Sequence, residues 1–169
     1  MENKNKSLNT NLYSEIDKDV NTLIKESAIS PYRTIPKKIG FREIFRNRTE
    51  LRHIIRSGIP YSFFNSLKNI APFTETEWAD FLELSTKSLQ RLKKDERKFK
   101  PIYSEKIMEI AEVVNIGIDF FGNFEKFKLW LETPNFALGN IKPLELLKDS
   151  YGIEMLKTEL TNSEHGIFI

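Results

Sequence analysis

Residues 130–147 read WLETPNFALGNIKPLELL, and this stretch decides the fold of the C-terminal part of the chain. A helix that ends near Trp130 is followed by Pro134, which cannot continue it because proline lacks the backbone N–H. Gly139 suits a tight turn, and Pro143 suits the first position of a new helix. The stretch therefore predicts a helix, a short loop and a second helix. Its exact order of residues is more specific than such a pattern requires.

The bulk composition excludes several classes of protein. The chain has 169 residues, 40% of them hydrophobic, which is enough for one domain or two small ones. It has no cysteine, so disulfide scaffolds, thiolate metal sites and Cys nucleophiles are excluded. No run approaches the roughly 18 apolar residues of a membrane span, and the polar start lacks the apolar stretch of a signal peptide. We expect a cytoplasmic protein that makes no membrane contact.

Apolar residues recur at helical spacing, and no segment reads convincingly as a strand, so we predict an all-α fold. Polar residues that suit helix N-termini precede several of these segments. Thr74 and Glu77 fit a capping box, and Gly152 is expected to break the helix that follows Pro143. The other predicted caps are Thr49, Ser85, Ser104 and Asn123.

The first 48 residues form a distinct polar region. Leu8, Leu12, Ile16, Val20, Leu23 and Ile24 make a narrow apolar stripe with polar flanks. The stripe predicts a helix that is held loosely or only with a partner. A linker is expected around Ser30-Pro31 and Ile35-Pro36.

Charge is unevenly distributed although the net charge is only +2. From Thr86 to Lys106 there are eight Lys or Arg against three Asp or Glu, and from Ile116 to Ile169 there are five Lys against eight acidic residues. A basic middle and an acidic end suggest two different partners. Solvated helix faces would explain each segment equally well.

The basic segment also has the spacing of a helix-turn-helix. Two short helices, residues 74–83 and 85–93, are joined by a tight turn. Leu89 and Leu92 would face inward and leave polar and basic side chains outward. The paired hydrogen-bonding groups of arginine and glutamine suit base edges, and the cations of lysine suit phosphates. The candidate DNA-binding residues are Thr86, Lys87, Ser88, Gln90, Arg91, Lys93 and Lys94. Many three-helix units expose a basic face without binding DNA, so that alternative stays open.

The C-terminal motifs resemble those of the Xre/MbcA/ParS family of bacterial antitoxins. The resemblance rests on Phe120-Phe121-Gly122-Asn123, on the stretch at 130–147, on Tyr151-Gly152 and on the final five residues. The run at Gly58-Ile59-Pro60 and the run from Leu84 to Arg91 resemble the Xre-like module that precedes this domain in the family. Together the resemblance covers about residues 50–169.

We therefore predict three regions. The N-terminal extension (1–48), partly disordered or a partner-dependent helix, lies outside the resemblance. The resemblance implies an Xre-like helix-turn-helix domain (49–115) and a small helical toxin-binding domain (116–169). It implies a cognate RES-type toxin that consumes NAD and is blocked by the C-terminal domain. It also implies that the helix-turn-helix represses the shared operon by binding operator DNA. A homodimer is expected because two-fold proteins match palindromic operators.

The candidate toxin-binding residues lie in the loop and at the chain end. They are Asn135, His165, Gly166, Ile167, Phe168 and Ile169. An apolar end could anchor in a partner's pocket, or Phe168 could fold back onto the chain's own core. Asn135 could cap a turn or face the partner, and Trp130 is more typical of a core. Many relatives carry a basic residue where this chain has Thr161 to Glu164, so that contact is absent or replaced.

The sequence contains no arrangement typical of an enzyme. The two histidines, His53 and His165, lie far apart, and there is no Gly-rich phosphate loop. We predict no catalytic residues, metal site or cofactor. Two other functions remain open: a helix-turn-helix regulator whose C-terminal half only dimerises, and an interaction protein with no nucleic-acid role.

Overall fold

The computed structural model describes residues 2–27, 38–71 and 73–164. The fold is all-α, as predicted, and the described residues contain two isolated β-bridges but no strand. Two segments are 3-10 helices, Phe136–Leu138 and Pro143–Lys148. The α-helices are α1 (Glu2–Ser27), α2 (Phe41–Ile44), α3 (Arg48–Ser57), α4 (Tyr61–Ile70), α5 (Glu75–Phe81), α6 (Thr86–Lys94), α7 (Pro101–Phe121), α8 (Phe124–Glu132) and α9 (Ser150–Glu164).

The chain folds as two compact units, and each contains two stretches of sequence. The first unit takes in the described residues of Met1–Phe73 and Lys87–Glu105. The second takes in those of Thr74–Thr86 and Lys106–Ile169. The predicted domain boundaries at 48 and 115 stay predictions. No helix in the described part of the chain is long and apolar enough to cross a membrane.

The second half of α1 forms part of the core of the first unit. Ile16, Val20, Leu23 and Ile24 are buried, and α1 packs against α3 and α4. The side chains of Leu8 and Leu12, and the linker expected near Ser30-Pro31 and Ile35-Pro36, lie outside the described residues. The dependence of this region on a partner stays a prediction.

Polar side chains of α1 hold the segment that leads into α2. The Asn21 amide donates to the Ile39 carbonyl and accepts from the Ile39 N–H, at 3.0 and 3.2 Å. The Asp17 carboxylate accepts from the Phe41 N–H at 2.6 Å. These bonds fix the register of residues 39–41 on α1 because they satisfy backbone groups that no helix satisfies.

The turn after α3 meets the segment before α7 at a very short distance. Gly58 has φ +81°, and a Cβ atom there would lie 2.6 Å from the Phe99 carbonyl oxygen. The Phe99 N–H donates to the Ile59 carbonyl at 2.7 Å. Only glycine fits this approach, since a side chain would collide with backbone rather than with a flexible group.

Ser104 joins the same two segments, the turn after α3 and the segment before α7, by hydrogen bonds. The prediction that it caps a helix is wrong. The helix α7 begins three residues earlier, at Pro101. The buried Ser104 hydroxyl accepts from the Ile59 N–H at 2.9 Å and donates to the Phe99 carbonyl at 3.2 Å. It therefore serves two backbone groups at once, one of them 45 residues away in sequence.

Two further local expectations need correction. Asn47, not Thr49, caps α3, because its side-chain oxygen accepts from the Glu50 N–H at 3.2 Å. Gly152 does not break a helix but lies in the first turn of α9. The capping box of Thr74 and Glu77 and the cap at Asn123 are confirmed.

We expect Ser104→Ala to lower the free energy of unfolding by about 1–3 kcal/mol, because it leaves two buried backbone groups without partners. Ser66→Ala, which truncates another buried serine of the same unit, is the matched control. Urea unfolding followed by circular dichroism gives both values. An equal loss of unfolding free energy in the two variants would contradict the role of Ser104 in joining the two segments.

Candidate functional site

The helix α6 presents one basic face. Leu89 is fully buried and Leu92 is partly buried, as predicted. Lys87, Arg91 and Lys94 follow each other at spacings of four and three residues, so they share the face opposite Leu89. This arrangement leaves three cations of one helix in solvent.

The structure places nearly all of the predicted DNA-binding side chains at the surface. Ser88 is partly buried, and the others are exposed: Thr86, Lys87, Gln90, Arg91, Lys93 and Lys94. Their accessibility is compatible with a nucleic-acid surface, and their contact with DNA stays a prediction.

Two acidic residues end α5 and α6 in a backbone conformation that usually belongs to glycine. After α5, Glu83 has φ 51°, and the Leu84 N–H donates back to the Ala79 carbonyl at 2.9 Å. After α6, Glu96 has φ 48° in a comparable turn. Such left-handed positions end helices sharply, and no glycine occupies them here.

The loop between α8 and the second 3-10 helix is built around Asn135. Its side-chain oxygen accepts from the Ala137 N–H at 2.9 Å and so caps the 3-10 helix Phe136–Leu138. Its backbone bonds to Ile141 and Asn140, at 3.0 and 2.8 Å, close the loop. Asn135 therefore caps a turn, one of the two expected roles, and its contact with a partner stays a prediction.

The helix α9 is packed directly on the second 3-10 helix through Gly152. A Cβ atom at Gly152 would collide with the Leu146 carbonyl oxygen and lie 2.9 Å from its Cα. The Asp149 carboxylate accepts from the Gly152 N–H at 2.8 Å, which caps the start of α9. Leu147, Ile153 and Leu156 are buried at this contact or beside it on the same helices.

Trp130 belongs to an aromatic cluster, which agrees with the expectation that it is part of a core. Its ring lies 6.0 Å from that of Phe127 and 5.7 Å from that of Phe121, centroid to centroid. Phe127 is fully buried, and Trp130 is partly exposed. The cluster fixes the end of α8 and hence the start of the loop at Asn135.

An ion pair ties α8 to the start of α5. The Lys128 ammonium lies 2.6 Å from the Glu77 carboxylate, and both side chains are about one-fifth exposed. Burial alone would raise the pKa of Glu77, but hydrogen bonds from Lys128 and Thr74 outweigh it and lower that pKa. The carboxylate is therefore held ionised at neutral pH.

Large apolar side chains are exposed on the second unit, a feature that the sequence analysis missed. Phe136 is 92% exposed and Tyr151 is 89% exposed. Leu129, Ile141 and Met155 are also exposed. Helical periodicity could have placed Tyr151 and Met155 on the outer face of α9, but Phe136 lies in a turn, where periodicity carries no information.

These side chains come from neighbouring elements of the unit. Tyr151 and Met155 are four residues apart and share one face of α9. Phe136 and Ile141 belong to the loop that Asn135 closes, and the 3-10 helix Phe136–Leu138 packs against α9. We call these four side chains the apolar surface. The predicted tail, His165 to Ile169, lies outside the described residues.

Comparisons with known proteins agree with the C-terminal motifs. Residues 117–166 match the model of the family described as the antitoxin Xre/MbcA/ParS C-terminal toxin-binding domain. An antitoxin Xre of Yersinia enterocolitica is 27% identical over 121 residues, which are 71% of this chain and 82% of the relative. An antitoxin Xre of Photorhabdus laumondii is 24% identical over 118 residues, covering 69% and 80%.

A solved structure shares the fold. It is a chain from the crystal structure of the M. tuberculosis MbcT–MbcA toxin–antitoxin complex, with a TM-score of 0.51 and 19% identity. The match covers 62% of this chain and 93% of that chain.

The family model and the two relatives support an antitoxin of a toxin–antitoxin system, and the solved structure supports the all-α fold. More particularly, residues 117–166 match the toxin-binding domain of Xre/MbcA/ParS antitoxins, which confirms the resemblance drawn from the motifs. The two relatives are antitoxins, which are not enzymes, in agreement with the prediction of no catalytic residues.

We expect Gly152→Ala to lower the free energy of unfolding by about 1–3 kcal/mol, because the added methyl group forces α9 away from the backbone of Leu146. Tyr151→Ala, at the neighbouring exposed position, should change it by less than about 0.5 kcal/mol. Thermal and urea unfolding measure both. A Gly152→Ala protein as stable as the wild type would contradict the close packing of α9.

Proposed function

We propose that the chain binds and blocks a RES-type, NAD-consuming toxin through its second unit and represses its own operon by binding operator DNA through α6. It acts in the cytoplasm, as a homodimer within the toxin–antitoxin complex, and needs no cofactor. The observation that carries the proposal is the match of residues 117–166 to a toxin-binding domain.

The apolar surface supports a protein partner for the second unit. Phe136 and Tyr151 expose almost their whole side chains, which is unfavourable in a free monomer because apolar area is left in water. Aromatic side chains of this kind are frequent anchors of protein interfaces. A toxin that covers them would remove this cost.

The chain end supports a more specific step, the blocking of the toxin's substrate pocket. Ile167, Phe168 and Ile169 come after His165 and Gly166, beyond the last residue of α9, and three consecutive apolar residues are costly when they are exposed to water. We infer that Phe168 enters the pocket as an apolar anchor.

The exposed polar and basic side chains of α6 support the DNA-binding part of the proposal. Arg91 and Gln90 carry the paired donors and acceptors that recognise guanine and adenine in the major groove. Lys93 and Lys94, with exposed ammonium groups, suit phosphates. A regulator whose C-terminal half only dimerises would use the same DNA-binding surface. The experiment that separates it from an antitoxin is therefore the one that measures toxin binding and inhibition.

Deletion of Phe168 and Ile169 should abolish inhibition of the toxin because the pocket is no longer filled. A RES-type toxin from the same genome is co-expressed with the full or the shortened chain, and cellular NAD and growth are measured. The full chain should preserve NAD, and the shortened chain should not.

A shortened chain that melts at the wild-type temperature and still co-purifies with the toxin shows that folding and docking are intact. Full inhibition by this chain would refute the role of the tail. If no toxin co-purifies even with the full chain, the regulator function gains support instead.

Arg91→Ala should weaken binding to the DNA upstream of the operon and relax the preference for one base pair, at a cost of about 1–3 kcal/mol. Lys94→Ala should weaken binding to all sequences equally, since a phosphate contact carries no base information. Competition binding with single-base variants of the upstream duplex separates the two effects. Unchanged binding by both proteins would remove α6 from the DNA surface.

A further inference from the structure

An open groove of about 570 Å³ lies between α3 and the start of α7, within the first unit. Its lining includes Arg48, Arg52 and Arg56 from α3, and Pro101 and Glu105 from α7. Three arginines and one glutamate therefore line the same groove. The motifs that define the antitoxin class do not include these residues.

The three arginines form a regular ridge. They are spaced by four residues, so they lie on one face of α3 and span about 12 Å along its axis. All three are exposed, while Leu51 and Ile54 on the inner side are buried. Among the described residues, Arg52 and Arg56 are in no ion pair, so their charges are not neutralised within that part of the fold.

The ridge continues toward the basic residues that follow α6. Gly58, two residues after Arg56, is packed on the Phe99 backbone, and Pro60 forms a β-bridge with Lys98. The exposed Lys100 directly precedes Pro101, which lines the groove. Because all these residues belong to the first unit, the ridge and the basic segment after α6 are joined by direct backbone contacts.

Arginine and this spacing favour nucleic-acid phosphates over other anions. The guanidinium fork binds a phosphate through two parallel hydrogen bonds and sheds its water readily. Double-stranded DNA carries one negative charge per about 1.7 Å of helix axis, so a ridge of about 12 Å can contact more than one phosphate. A single small anion would use only one of the arginines.

We propose that the arginine ridge of α3 is a second DNA-binding surface, which holds the phosphate backbone beside the segment that α6 contacts. The inference rests on the DNA-binding part of the proposed function. It assigns the ridge to affinity and not to sequence preference, because phosphate contacts do not distinguish bases. Glu105 limits the site to a few phosphates since its carboxylate repels further ones.

The test measures the salt dependence of DNA binding by the full chain. A fluorescent duplex from upstream of the operon and an unrelated duplex of equal length are titrated at several KCl concentrations. For Arg52→Gln with Arg56→Gln, the slope of log K against log salt should become shallower by about 2, since each lost phosphate contact removes about 0.9. Binding to both duplexes should weaken by the same factor.

Two control proteins make the result specific. Lys18→Gln with Lys25→Gln removes the same charge from exposed positions of α1 in the same unit, and it should leave the slope unchanged. Arg52→Lys with Arg56→Lys keeps the charge and should keep most of the slope. Circular dichroism melting confirms that each variant is folded.

Each other outcome overturns the inference in a distinguishable way. If the wild type binds DNA and the double Gln variant binds with an unchanged slope, the ridge is not a DNA surface although α6 can still be one. If the double variant loses the co-purifying toxin and keeps its DNA binding, the ridge holds an acidic protein segment. If the wild type binds neither duplex, the DNA-binding part of the proposed function fails together with the inference.

Discussion

Each unit is closed where two stretches of backbone approach so closely that no side chain fits between them. In the first unit, Gly58 meets the Phe99 carbonyl, and in the second, Gly152 meets the backbone of Leu146. Because packed interiors accommodate even one extra methyl group poorly, these contacts fix the helices that flank them. The position of the arginine ridge follows from the first contact, and the position of the apolar surface follows from the second.

The two units carry surfaces of different chemistry. The first exposes arginines and lysines on α3 and α6, and the second exposes aromatic and aliphatic side chains around its loop and on α9. Exposed arginine and lysine side chains suit the binding of a polyanion, with an affinity that depends on salt concentration. Exposed aromatic rings suit the binding of a protein partner. This difference agrees with the proposal that the chain binds DNA and a toxin through separate surfaces.

Local chemistry could be predicted from the sequence, and long-range contacts could not. The capping box at Thr74, the cap at Asn123 and the inward Leu89 were predicted correctly, because each depends on residues within one or two turns. Ser104 was misassigned because its partner is 45 residues away. The role of Gly152 was missed because its contact with the Leu146 backbone depends on how two helices pack, which residue spacing does not give.

The central claim, that the second unit is the toxin-binding surface, is tested most directly by hydrogen–deuterium exchange of the chain with and without its co-purified toxin. The account predicts slower exchange on binding at residues 136–141 and at the last five residues, with α3 and α6 unchanged. Slower exchange confined to the first unit, with none in residues 117–169, would contradict it.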